Sequence, residues 1–178
     1  MIKVSLIGDS IRAIGYGTKV PSLLGGDFEV FQPEDNCRFS KYTLRGLFDW
    51  SGGMAGSQIV HWNNGLWDIT DLFGDGAFTS ESEYIDNMLR IADILQKKYK
   101  KIIFATTTPV TSANAYNKNK TIERYNSIIV PMLESRGIII NDLYTTVAAD
   151  IDKYIRKDDN IHLTDAGIKV CSEQVAGV

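Results

Sequence analysis

Five short apolar runs, each followed by a stretch with helical spacing, narrow most sharply what this chain can fold into. The runs are Ile2 to Ile7 (IKVSLI), Phe28 to Phe31 (FEVF), Gln58 to Trp62, Lys101 to Val110 (KIIFATTTPV) and Gly137 to Asp142 (GIIIND). Strands that are apolar without strict alternation are buried on both faces, and helices between them supply the cover. The pattern predicts a parallel five-stranded sheet in a three-layer α/β/α sandwich, formed by one domain over residues 1–178.

The helical stretches follow the same logic. Ile11 to Leu24 reads as a short helix, weakened by Gly15 and Gly17 and interrupted or ended by Pro21. Ser40 to Trp50 places Leu44, Leu47 and Phe48 on one face. Glu81 to Tyr99 is the clearest helix, with Ile85, Met88, Leu89, Ala92 and Leu95 at helical spacing and a Lys-rich last turn that suits the dipole. Ile122 to Ser135 stops at Gly137, and Thr164 to Val175 starts on a plausible N-cap, Thr164. The most polar stretch, Ser112 to Lys120, reads as a mobile surface loop.

Composition closes off several classes of function. With 44% hydrophobic and 23% charged residues among 178, the chain is not of a disordered type. Nineteen Lys and Arg against 22 Asp and Glu leave a net charge of -3, so no basic field exists for nucleic acid or an anionic membrane. The first apolar run is too short for a signal sequence or a membrane span. Cys37 and Cys171 form no CxxC pair, which points to a reduced, cytoplasmic setting. Two histidines, His61 and His162, argue against a zinc cluster.

In a parallel sheet, ligand chemistry gathers beyond the carboxyl ends of the strands. Ser10 follows the first strand in Gly8-Asp9-Ser10, without the glycine spacing of a nucleotide loop. Asp159-Asn160-Ile161-His162 lies on a loop entering the last helix. A nucleophilic Ser needs an imidazole to take its proton, and the imidazole needs an acceptor on its other nitrogen. A carboxylate three residues before a His supplies both from one segment. Taken singly, Ser10 could equally be a helix cap, and Asp159 a turn cap before a polar helix-start His162. His61, inside a strand beside Val60 and Trp62, reads as structural.

Taken together, Gly8-Asp9-Ser10 and Asp159-x-x-His162-Leu163-Thr164-Asp165-Ala166-Gly167 resemble the SGNH hydrolases, also called GDSL esterases and lipases. Thr107-Thr108-Pro109-Val110 and Tyr125-Asn126 support the resemblance between those ends. It implies a flavodoxin-like α/β/α sandwich without metal or cofactor. It also implies Ser10 as nucleophile, His162 as general base and Asp159 as its orienting carboxylate; Asp158 is one residue too far from His162.

The chain departs from the family at the oxyanion hole. Where the family has a Gly whose backbone N–H faces the oxyanion, this sequence reads Asn36-Cys37-Arg38. A backbone donor there would be Cys37, or Arg38, beside that of Ser10. The family's Gly-x-Asn-Asp block becomes Gly65-Leu66-Trp67-Asp68, which puts Trp67 in the place of the amide. A shifted register offers Asn63 or Asn64, a pair that equally suits a tight turn with Gly65.

The resemblance implies a serine esterase for a small-molecule ester, with an O-acetyl group on a carbohydrate as the expected substrate. A lipase or acyl thioesterase is the second reading, and a non-catalytic carbohydrate-binding member of the fold is the third. The loops expected around Ser10 are polar or aromatic: Asn36 to Arg38, Asn63 to Gly65, Thr106 to Thr108 and the Ser112 to Lys120 stretch. With no long apolar lid in view, acetyl esters are expected to react best.

Overall fold

The computed structural model describes all residues from Met1 to Val178. Its sheet has five parallel strands: β1 (Ile2–Ile7), β2 (Phe28–Phe31), β3 (Ile59–Trp62), β4 (Lys101–Ala105) and β5 (Ile139–Asn141). The order across the sheet is β2-β1-β3-β4-β5. The chain therefore reverses its direction of growth beside β1, and a crevice opens past the carboxyl ends of β1 and β3. Val4 pairs with both Val30 and Ile59, and Ile7 with Trp62, which brings Gly8 level with Asn63.

Eight helices follow in chain order: α1 (Val20–Leu24), α2 (Ser40–Asp49), α3 (Ser51–Met54), α4 (Glu81–Lys98), α5 (Asn119–Glu134), α6 (Leu143–Ala148), α7 (Ile151–Tyr154) and α8 (Asp165–Gly177). The longest, α4, starts where Ser80 accepts a hydrogen bond from the Glu83 N–H and ends in Lys97 and Lys98. It buries Tyr84, Met88, Ile91 and Leu95 in one apolar cluster with Leu6, Ile7, Trp62 and Phe104. Truncating a side chain such as Leu95 to Ala would cost about 2–5 kcal/mol. No helix is long and apolar enough to cross a membrane.

The expected helix over Ile11 to Leu24 is three pieces instead. A π-helical turn (Ile11–Gly15) leads into a 3-10 turn (Tyr16–Thr18) and then α1. Pro21 lies in the first turn of α1, where its missing N–H has no partner to lose, so it opens a helix rather than ending one. The stretch from Ser112 to Lys120 is not loose either. Asn114 and Asn117 are buried, the Asn114 side chain accepts from the N–H groups of Tyr116 and Asn117, and Asn119 begins α5.

Candidate active site

Gly8 sits where β1 leaves the sheet. A Cβ there would lie 1.9 Å from Asn63 Oδ1, so only glycine fits. The next residue, Asp9, is buried, and its Oδ1 accepts hydrogen bonds from Ile11 N–H (2.9 Å) and Asn63 Nδ2 (2.9 Å). Burial pushes the Asp9 carboxyl above its ordinary pKa, against the pull of those bonds and of Arg12. Ser10 then stands at the head of the π-helical turn.

The loop after α7 brings the second group. Its ends are pinned by the antiparallel bridge of Ile155 with Leu163 and by the Arg156 N–H donating to the His162 carbonyl. Asn160 adopts a left-handed φ of 65°, and its Oδ1 accepts from Thr111 Oγ1 at 2.6 Å. Asp159 acts in two directions. Its Oδ1 accepts the N–H groups of Ile161 (3.1 Å) and His162 (2.9 Å), while its Oδ2 accepts His162 Nδ1–H at 3.0 Å. The turn-cap and imidazole-orienting roles, alternatives in the sequence, thus coexist in one carboxylate. Partial burial pulls its pKa up, but these bonds outweigh it and hold Asp159 below its ordinary value, hence ionised. The ring's other nitrogen, Nε2, accepts the Ser10 hydroxyl at 2.9 Å. Asp158 points elsewhere and pairs with Arg156.

His61 lies in the core. Its Nδ1–H faces Tyr16 Oη at 3.4 Å, and its Nε2 accepts from Asn141 Nδ2 at 3.2 Å. Burial depresses its pKa to about 3, so it is neutral.

Three of the expected oxyanion donors, Cys37, Asn63 and Asn64, have hydrogen-bond partners within the protein. Cys37 is buried; its N–H donates to the Gly8 carbonyl at 3.1 Å, and its Sγ accepts from the Gly8 N–H at 3.1 Å. That backbone donor is already committed. Asn63 gives an amide proton to Asp9 and accepts from Tyr16 Oη at 2.8 Å, so it braces the Gly8-Asp9-Ser10 turn. Asn64 is 0% exposed; its Nδ2 donates to the Arg38 carbonyl at 2.9 Å and its Oδ1 accepts from Trp62 Nε1 at 2.8 Å. Asn63 is likewise buried.

Arg38 stands at φ 48°, a left-handed conformation for which glycine is the usual occupant. Its N–H is held by Asn36 Oδ1 at 2.8 Å. Behind it, buried Asp68 accepts the N–H of Ser40 at 3.0 Å and its hydroxyl at 2.6 Å, which fastens the start of α2 to the β3 loop.

Of the polar or aromatic loops expected around Ser10, the Ser112 to Lys120 stretch reaches the neighbouring cleft through Asn117, and Thr106 to Thr108 do not. Thr106, Thr107 and Thr108 are buried, and Asn126 clamps the backbone of Thr107 through both its N–H and its carbonyl. Beside Ser10 and His162 lies instead a cleft of about 340 Å³, lined mostly by apolar side chains: Phe39, Leu66, Trp67, Leu72, Phe78 and Ile161. A second, more polar cleft of about 400 Å³ meets the same two residues from the other side, between the π-helical turn and the start of α8. Arg156, Thr164 and Asp165 lie along it.

No family model and no curated protein matches the chain. Solved structures do. An acetyl xylan esterase, AlAXEase, superposes with a TM-score of 0.82 at 20% identity, over 99% of this chain and 98% of that one. A member of the lipolytic protein G-D-S-L family from Veillonella parvula DSM 2008 gives 0.82 at 13% identity, over 100% and 98%. A catalytic mutant of Axe2, an acetylxylan esterase from Geobacillus stearothermophilus, gives 0.81 at 14% identity, over 98% and 92%. At these identities the likeness is one of fold: the chain has the α/β/α sandwich fold of the SGNH hydrolases.

Proposed function

We propose that the protein is a carboxylic-ester hydrolase that uses Ser10 as nucleophile, His162 as general base and acid, and Asp159 to orient the imidazole. The observation that carries the reading is the unbroken chain of contacts from Asp159 Oδ2 through both nitrogens of His162 to Ser10 Oγ. His162 takes the hydroxyl proton as Ser10 Oγ bonds to the ester carbonyl carbon. The carbonyl oxygen becomes an oxyanion, to which the Ser10 backbone N–H at the head of the turn is assigned as donor. The tetrahedral adduct collapses, the C–O bond to the alcohol breaks, and His162 returns the proton to the departing oxygen. Water then adds to the acyl-serine with His162 again as base, releasing the acid and restoring Ser10. Ionised Asp159 stabilises the imidazolium in both halves.

An O-acetyl group on a carbohydrate is supported as substrate by the acetylxylan esterases that share the fold. A longer acyl group is the competing reading, and the apolar cleft beside Ser10 favours it over acetyl. A carbohydrate-binding member without catalysis fits less well, because binding alone gives no reason to hold Ser10, His162 and Asp159 in reacting geometry. Assay of acyl esters on wild type and Ser10→Ala decides: hydrolysis lost in the variant supports the hydrolase, and equal rates in both remove it.

A further inference from the structure

Two clefts of different character meet at Ser10 Oγ and His162. We infer that the substrate is an ester joining an apolar acyl group, held in the cleft of Phe39, Leu66, Leu72 and Phe78, to a polar alcohol lying along the cleft of Arg156 and Asp165. The inference rests on the ester-hydrolase reading and names which half of the ester each side takes.

The first wall is mostly apolar, six of its ten lining residues being hydrophobic, with the Trp67 indole N–H as a free donor among them. Besides Ser10 and His162, its polar members are Thr70 and Asn117, and both hydrogen-bond to the protein. Thr70 Oγ1 donates to the Leu66 carbonyl at 2.7 Å, and Asn117 Nδ2 donates to that carbonyl at 2.8 Å and to Thr70 Oγ1 at 3.4 Å. A sugar ring placed there would lose water from its hydroxyls and gain none of these donors in return. Apolar surface stays open at the rim: Leu72 is 48% and Phe78 51% exposed, and the Phe78 ring leans on Phe39 at 5.4 Å. An alkyl chain would cover that surface at low polar cost. The opposite cleft carries the charged groups of Asp165 and of Arg156, the latter paired with Asp158, while the Thr164 hydroxyl is spent between the Lys153 carbonyl and the Gly167 N–H.

A cleft of about 340 Å³ is at the small end for ligand sites, so it suits a medium chain rather than a long one. A fully buried methylene is worth about 0.8 kcal/mol, or roughly fourfold in kcat/KM. In a half-open cleft, about twofold to fourfold per methylene is expected up to hexanoyl or octanoyl, and little beyond.

The test uses two matched ester series. Monoacylglycerols from acetyl to dodecanoyl vary the acyl half against a polar alcohol, and alkyl acetates from ethyl to octyl vary the other half. We expect kcat/KM to rise with length in the first series and stay level in the second. Leu72→Ser and Phe78→Ser should each lower the octanoyl-to-acetyl ratio at least fivefold. A maximum at acetyl, or a rise confined to the alkyl acetates, overturns the assignment. Binding is read separately on Ser10→Ala by Trp67 fluorescence, with Trp67→Phe as control: octanoate should saturate the signal and acetate should not. Saturable octanoate binding in a protein that hydrolyses no ester would defeat the hydrolase reading while leaving the cleft's occupant standing. Absence of octanoate binding overturns the acyl-cleft inference itself.

Discussion

Ser10 Oγ donates to His162 Nε2 across 2.9 Å, although 152 positions of chain separate the two residues. A free serine hydroxyl is a weak nucleophile at neutral pH, and this contact is what would activate it. A fluorophosphonate probe should therefore label Ser10 alone. Ser10→Ala should abolish labelling, and His162→Ala should lower turnover about a thousandfold or more, since groups that act as a unit fail as a unit. Peptide mapping that places the label on another serine would remove Ser10 from the chemistry.

Neighbouring aspartates separate the acid's role from mere charge. Asp159 faces His162 Nδ1 and is held ionised, whereas exposed Asp158 is engaged with Arg156. Asp159→Asn should cost about a hundredfold or more in turnover, because an amide can present a donor to Nδ1 and favour the wrong tautomer. Asp158→Asn should stay within about threefold. The reverse ranking in steady-state assays would place the acid one residue earlier.

Asn63 and Cys37 should report on stability before activity. Asn63→Ala strips Asp9 of a donor and Tyr16 of an acceptor, both buried, at a cost of about 1–3 kcal/mol. Cys37→Ala leaves the buried Gly8 N–H without its acceptor and should cost a similar amount, which Cys37→Ser largely restores. Denaturant titration measures each. If Asn63→Ala or Asn64→Ala lost a hundredfold in turnover at unchanged stability, the amide would be a donor to substrate after all.

The layers were legible in the sequence because buried parallel strands need apolar, β-branched runs and their covering helices need periodic faces. Gly8-Asp9-Ser10 and Asp159-x-x-His162 were legible because each is a contiguous string. Helices α3, α6 and α7 have at most six residues, too few for a periodic face to show. The partners of the Asn63 and Asn64 amides were not legible because residue type does not tell where an amide points: they come from the loop after β1, the 3-10 turn, β3 and the loop after β2. The apolar cleft escaped for a related reason. Phe39, Leu66, Phe78 and Ile161 sit on separate loop segments, and the polar residues between them turn inward to satisfy carbonyls rather than outward to meet a ligand.

Acid should unfold the protein through His61. Its side chain is fully enclosed between Tyr16 and Asn141, and burial lowers its pKa from 6.5 to about 3. The unfolded chain thus binds a proton between those values that the folded chain refuses. Stability is fully present above about 6.5 and is lost as pH falls toward 3, by a few kcal/mol in all. Asp68 works the other way: burial, partly offset by its bonds from Ser40, raises it to about 6, so its contribution is present below about 3.8 and is lost as pH rises through 6. The two slopes oppose one another between about 4 and 6, and only a variant separates them. His61→Gln keeps an amide among the same partners and removes the titration. Guanidinium unfolding at pH 7.0, 6.0 and 5.0 should show the wild type losing ground to the variant at each step down. Parallel pH profiles for the two proteins would mean that His61 accepts a proton in the folded state at ordinary cost, and that the Tyr16–His61–Asn141 contacts are far looser than their burial implies.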